Sequence, residues 1–235
     1  GGNLHVAKKP PFKGKFEWAI DYYKSMAKKL NITMKLGKEV TAQEVLALKP
    51  YSILVATGSN VISIPLEGLD QVQTVQAHDV LANDMQFANK KVVVIGGGIT
   101  GLETALYINR QGTNQVSVVD MLPEWPVDML DMRYQNEALL EVRHCNDQGV
   151  ALFYNNKVVK FADGKLFIES TKDGEVKELP ADVIVLSVGV KPNDALWQEL
   201  LASGHPSVWK AGDAIATGKI NKAVLHGSKF GYSLN

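Results

Sequence analysis

The sequence predicts an α/β protein in which a parallel sheet lies between other layers, and three observations carry that prediction. Apolar runs of strand length, such as Val92–Ile95 and Val183–Val188, alternate with amphipathic stretches of helix length, as strands buried on both faces require. One of these runs passes through a glycine-rich turn directly into a helix. Between Val150 and Leu179 the dipeptides Asp163-Gly164 and Asp173-Gly174 break up short strand-like segments; such pairs close β-hairpins and add an antiparallel layer. A Rossmann-like three-layer arrangement follows, with right-handed crossovers between parallel strands.

Taken in chain order, the opening stretch is rich in Gly, Pro and Lys and reads as a loop. Phe16–Leu30 carries apolar residues at Phe16, Ala19, Ile20, Tyr23, Ala27 and Leu30, a helical spacing. Ile32–Leu36 is expected as a short strand. Thr41–Leu48 is expected as a helix, with Thr41 as N-cap, Glu44 closing a capping box and Lys49-Pro50 as the stop. Ser52–Ala56 is a buried strand ending at Thr57-Gly58. A second segment opens at about residue 88 with strand, glycine turn and helix. It continues with a strand over Gln115–Asp120, a helix over Arg133–Asp147, the hairpins, and a closing strand over Asp182–Val188. The last segment, from Ala195, is too short to build its own core. The expected domains are therefore residues 1–87 with 195–235, interrupted by 88–194, with the second segment hung on linkers near Asn83–Ala88 and Lys191–Ala195.

Composition narrows the function. In 235 residues, 25 basic and 25 acidic side chains balance to zero, so there is no cationic footprint for nucleic acid. The apolar runs are far too short to span a bilayer, and the first residues lack the apolar core of a signal peptide; a cytoplasmic protein with no membrane or nucleic-acid partner is expected. Cys145 is the one cysteine, which excludes an internal disulfide and a Cys-x-x-Cys redox centre.

Chemistry concentrates at Gly96-Gly97-Gly98-Ile99-Thr100-Gly101, a G-x-G-x-x-G placed between an apolar strand and an amphipathic helix. Gly96 permits the tight turn, Gly98 lets a diphosphate approach the backbone, and Gly101 lets helix and strand pack closely. The helix N-terminus offers free N–H groups and a partial positive charge to that anion. Asp120 ends the next strand, where an acid accepts hydrogen bonds from the adenosine ribose of a dinucleotide and repels the 2′-phosphate of NADP. No arginine follows; Met121-Leu122-Pro123 does. NADH is thus expected to be preferred over NADPH. Glu103 lies just past the turn, where a carboxylate disfavours anion binding. Glu124-Trp125-Pro126 reads equally as an adenine cover or as packing.

Other residues carry less. His5, His78, His144, His205 and His226 are never grouped at metal-ligand spacing, and no metal site is expected. Lys8, Lys9, Lys13 and Lys15 read as a solvated charge cluster. His226 stands out slightly because its expected helix, over Asn221–Phe230, follows Gly212-Asp213.

Four elements together, Leu54-Val55-Ala56-Thr57-Gly58, the GGGITGLE turn, Val188-Gly189-Val190-Lys191-Pro192-Asn193 and Lys210-Ala211-Gly212-Asp213, resemble the glutathione-reductase-like flavoproteins built from two dinucleotide-binding domains. With the opening GGNLHVAKKPPFKGKF, the chain is most similar to the C-terminal part of NADH:flavin oxidoreductases of the 2,4-dienoyl-CoA reductase and 2-enoate reductase type. The resemblance implies a NAD(P)-binding domain inserted in an FAD-binding domain of the same type, here N-terminally truncated because no earlier G-x-G-x-x-G precedes Gly1. It implies that Asp213, with Gly212, bonds the FAD ribityl chain, that Thr57 and Gly58 sit near the FAD, and that Gly189 with Pro192-Asn193 lies toward the nicotinamide, as does Glu103. An N-terminal barrel with FMN and an iron–sulfur cluster would belong to the missing part, since one cysteine cannot ligate a cluster. Hydride would pass from NADH to FAD and onward to an enoate or dienoyl substrate, with the isolated chain inactive, its FAD site incomplete and no acid–base residue needed. A non-catalytic NAD(H)-binding or scaffolding domain is the alternative.

Overall fold

The computed structural model describes residues 2–123 and 132–234. In chain order it contains helices α1 (Gly2–Ala7), α2 (Phe16–Lys29) and α3 (Ala42–Ala47), then strands β1 (Ile53–Val55), β2 (Ser59–Val61) and β3 (Gln73–Gln76). Helix α4 (Ala77–Ala82), β4 (Lys91–Ile95), α5 (Ile99–Asn109), β5 (Gln115–Val119) and α6 (Met132–Asp147) follow. Strands β6 (Ala151–Phe153), β7 (Asn156–Ala162), β8 (Lys165–Ser170), β9 (Val176–Pro180), β10 (Val183–Leu186) and β11 (Val190–Pro192) come next. The chain closes with α7 (Ala195–Ala202), β12 (Val208–Lys210) and α8 (Ile220–Ser233). Glu124-Trp125-Pro126 lies outside the described residues. Among those residues, no helix is long and apolar enough to cross a membrane.

The elements form two compact units, and their limits differ from the expected domains. The first unit joins the chain up to Ile32 with Ser63–Val188; the second joins Thr33–Ile62 with the chain from Gly189 onward. Residues 63–87 belong with the glycine turn because β3 pairs in parallel with β10, Thr74 opposite Ile184, and because Val80 and Leu81 of α4 are fully buried.

In the first unit a five-stranded parallel sheet has the order β3-β10-β4-β5-β6. Alternation along β4 sends Val92 and Val94 to one face and Val93 and Ile95 to the other, and both faces are covered. Val92 and Val94 pack with Leu102, Leu106, Val142 and Cys145 of the helical layer. Val93 and Ile95 pack with Phe161, Leu166 and Ile168 of an antiparallel sheet, order β7-β8-β9. These are the three layers, and each fully buried aliphatic side chain in them stabilises the fold by about 1.5–3 kcal/mol. The β7–β8 turn is the expected hairpin, with Asp163 and Gly164 both left-handed at φ 50 and 72. Cys145 is sealed in the helical layer, and burial pushes its thiol up to about 12.

In the second unit β1 and β12 pair in parallel, Ile53 opposite Val208, and β2 and β11 pair antiparallel. Ile53, Val55 and Leu200 form its small core, with Val45, Leu46, Leu196 and Trp197 around them. Helix α3 starts on the capping box expected at Thr41 and Glu44, with the Thr41 hydroxyl accepting from Glu44 N–H and the Glu44 carboxylate from Thr41 N–H. It ends before Lys49, which is left-handed at φ 50.

Two local expectations fail. The opening is not all loop, since Gly2–Ala7 forms α1. Ile32–Leu36 is not a strand: it pairs with no strand among the described residues, and Ile32, Met34 and Leu36 stay exposed. Apolar alternation makes a strand only where a neighbouring edge accepts its hydrogen bonds.

Candidate functional site

In the first unit the sheet order reverses direction at β4. From there the chain builds outward through α5 to β5 and β6 on one side, while β10 and β3 lie on the other. The crevice at the carboxyl ends of such strands is where open α/β sheets bind ligands. The glycine turn occupies it. Gly96 leaves β4 at φ 108, and a Cβ there would come within 2.3 Å of the Ser187 carbonyl oxygen just past β10. A Cβ on Gly101 would come within 1.9 Å of the Gly96 oxygen. These two glycines are demanded by packing. Gly98 is different, because a Cβ there would meet nothing within 4 Å and its backbone angles are ordinary. Its missing side chain leaves the approach to the turn open.

Gly98 is also the N-cap of α5 and supplies no side-chain cap, although its carbonyl accepts from Leu102 N–H at 3.0 Å. The first N–H groups of α5, those of Ile99, Thr100 and Gly101, thus have no carbonyl of the preceding turn to bond. Together with the positive end of the helix dipole they form a cradle for an anion. A diphosphate fits what the residues offer.

Asp120 follows β5 and faces this turn. Its carboxylate accepts from Gly97 N–H at 2.6 Å and from Leu122 N–H at 2.8 Å. Gly97 is pressed between that carboxylate and the Tyr154 ring, which a Cβ would approach to 3.0 Å. Each carboxylate oxygen keeps a further lone pair, so ribose hydroxyls can still donate to it.

Glu103 is turned away from water, with a side chain 12% exposed, and its carboxylate lies 2.9 Å from Lys13 Nζ. The same ammonium lies 2.6 Å from Glu137 of α6. Burial raises the Glu103 carboxyl above its ordinary value, Lys13 opposes that, and Glu141 and Glu137 add to it. For Lys13 burial acts downward, but the bonds to Glu137 and Glu103 prevail and leave its ammonium above its ordinary value. The lysine cluster is therefore not simply solvated: Lys8 pairs with Glu17 and Lys9 with Asp84. Lys13, Tyr154 and Ser187 escaped sequence reading, and only Lys13 belonged to a feature visible there.

The second unit gathers the other expected residues. Thr57 donates to the Asn193 carbonyl, and Asn193 N–H donates to the Gly58 carbonyl at 3.0 Å. Gly189 is left-handed at φ 100, and its carbonyl accepts from Ile62 N–H. Asp213 accepts from Ser59 Oγ at 3.3 Å and from Gly218 N–H at 3.0 Å. Gly212, also left-handed, donates its N–H to His226 Nδ1 at 3.2 Å. His226 thus holds the Gly212-Asp213 turn through its ring nitrogen. Thr57, Gly58, Gly189, Gly212 and Asp213 are brought together by the β1–β12 and β2–β11 pairs.

Comparison with known proteins agrees with this geometry. The chain is 33% identical over 193 residues to bilirubin reductase of Mediterraneibacter gnavus (strain CC55_001C), covering 82% of this chain and 29% of that one. It is 30% identical over 242 residues to NADH oxidase of Thermoanaerobacter brockii, covering 100% and 36% respectively. The structure of 2-naphthoyl-CoA reductase in complex with 2-naphthoyl-CoA superposes with a TM-score of 0.86 at 27% identity, covering 98% of this chain and 34% of that one. The chain spans about a third of the length of these relatives. The pyridine nucleotide-disulphide oxidoreductase family matches residues 14–225. With the uncapped glycine turn at a sheet switch point and an acid beside it, the chain belongs to that family of FAD- and NAD(P)H-binding oxidoreductases.

Proposed function

We propose that the chain is the pyridine-nucleotide-binding module of an NADH-dependent flavoprotein oxidoreductase. The observation that carries this reading is Gly98, an exposed, unobstructed glycine at an uncapped helix N-terminus, with Asp120 beside it. When bound, NADH supplies a hydride and FAD accepts it, so the redox chemistry belongs to the cofactors. The protein's part is to bind and orient. The N–H groups of Ile99, Thr100 and Gly101 hold the diphosphate, while Gly96, Gly97 and Gly101 keep the backbone close enough to do so. Asp120 receives the ribose hydroxyls and disfavours a 2′-phosphate. Thr57, Gly58, Gly212 and Asp213 contribute to the FAD site, Asp213 toward the ribityl chain, while Gly189 lies toward the nicotinamide. His226 acts as a prop for Gly212 rather than as a proton donor.

In the whole protein, electrons continue to an enoate- or dienoyl-type substrate, and FMN or an iron–sulfur cluster would sit outside these residues. Relatives about three times as long, one of them a 2-naphthoyl-CoA reductase solved in complex with 2-naphthoyl-CoA, support that extension. Calorimetric titration of the chain with NADH and NADPH tests the binding reading. Saturable NADH binding, tighter than NADPH binding, is expected; NADPH binding as tightly as NADH would refute the role given to Asp120, and no binding of either would refute the site.

A further inference from the structure

Glu103 is out of place at an anion-binding helix terminus. It is the fifth residue of α5, just past the first turn, and because helical side chains lean back toward the N-terminus its charge works against the attraction that free N–H groups and the helix dipole exert on a diphosphate. Nothing in the turn itself offsets it, since the residues from Gly96 to Leu102 are all uncharged. The offset comes from elsewhere in the chain. Lys13, in the turn before α2, reaches Glu103 at 2.9 Å and Glu137 at 2.6 Å, and is itself only 20% exposed. Glu141, on the same helix as Glu137, is buried and lies 3.8 Å from His144 Nδ1. Two carboxylates thus flank one ammonium, with a third buried on the helix that carries Glu137, and charges this far from water are weakly screened by salt.

We propose that Lys13 is a positioning residue for pyridine-nucleotide binding. It makes no contact with the cofactor, but it holds Glu103 and cancels its charge, so that the N-terminus of α5 keeps its attraction for the diphosphate. The inference rests on the binding reading above. It also accounts for a lysine, an exposed side chain by habit, lying against two carboxylates with four-fifths of its surface covered.

The test is a double-mutant cycle on the full chain, read as NADH dissociation constants by calorimetry with a melting curve for each variant. Lys13→Met is expected to weaken NADH binding about five- to tenfold, the scale of one poorly screened charge at a helix terminus. Lys13→Arg restores it. In Lys13→Met/Glu103→Gln the charge on α5 is gone, while Glu137 on α6 has lost Lys13 as it has in the single variant, and affinity returns to within about twofold of wild type, a coupling that independent sites would not show. A merely structural role for Lys13 would lower the melting temperature and leave the double variant as weak as Lys13→Met. That outcome, or wild-type affinity in Lys13→Met, overturns the inference. If Lys13→Met fails to fold, Glu103→Gln alone decides, because Lys13 keeps Glu137 as its partner. Affinity equal to or tighter than wild type supports the proposal, and weaker affinity overturns it. Absence of NADH binding in the wild type removes the binding reading and this inference with it. Wild-type binding that is unmoved in Lys13→Met removes the inference alone.

Discussion

The Asp120 carboxylate accepts a hydrogen bond from the Gly97 N–H, 2.6 Å away, so the acid that would select the cofactor also ties down the turn that would hold it. The two jobs cannot be separated by removing the side chain. Asp120→Ala is expected to weaken NADH binding about ten- to hundredfold, since a charge-assisted hydrogen bond contributes about 1.5–3 kcal/mol. It should not make the protein prefer NADPH, because the turn has lost its latch. Asp120→Asn keeps an acceptor for Gly97 and should fall between the two. Titration of the three proteins with both nucleotides checks this, and an Asp120→Ala variant that binds NADPH more tightly than wild type does would show that the latch is unimportant.

The glycines of the turn should separate into two kinds. Gly98→Val points into open space and is expected to leave the circular dichroism spectrum and melting temperature near wild type while abolishing NADH binding. Gly101→Val drives a side chain into the Gly96 carbonyl, 1.9 Å from the ideal Cβ, and should lower the melting temperature sharply or prevent folding. Normal affinity in a folded Gly98→Val protein would remove the turn from the binding site.

Glu103 gives a pH dependence of definite sign. Its folded-state carboxyl lies above the ordinary value because of burial, so the native state binds the proton more tightly than the unfolded chain does. Its ionisation therefore costs stability, a cost absent below the unfolded value and growing as pH rises through the folded one. Glu103→Gln is expected to raise the melting temperature at neutral pH, with the gain shrinking as pH falls into the ordinary carboxylate range. A gain that grows toward acid pH would contradict the burial argument.

Cys145 should be silent to thiol reagents in the native protein. Its side chain is fully buried and its thiol is pushed up to about 12, so almost no thiolate exists at neutral pH. A chromogenic disulfide should titrate no thiol until denaturant is added, and one equivalent afterwards. Prompt native-state reaction would mean that the helical layer opens readily.

The parts of this fold that could be read from sequence are those whose information is local. The β4–turn–α5 unit announces itself because Val92–Ile95, three glycines and the helical spacing after them all lie in one stretch. Asp163-Gly164 and the Thr41–Glu44 box are likewise contained within a few residues. Strand β3 was missed because Gln73-Thr74-Val75-Gln76 carries little apolar pattern; β10 makes it a strand by pairing with it. The unit limits shifted for the same reason, since β3 and α4 join the first unit through a partner strand far along the chain. At the site, Asp120 and the glycines were legible from spacing. Lys13 was not, because nothing near it in sequence says that a lysine among four should meet Glu103 rather than water.

The buried thiol also makes the chain a convenient optical probe. With Cys145 sealed and no other cysteine present, a cysteine placed at exposed Met121, directly after Asp120, becomes the sole labelling position. A fluorophore attached there reports occupancy of the neighbouring turn without a background signal to subtract.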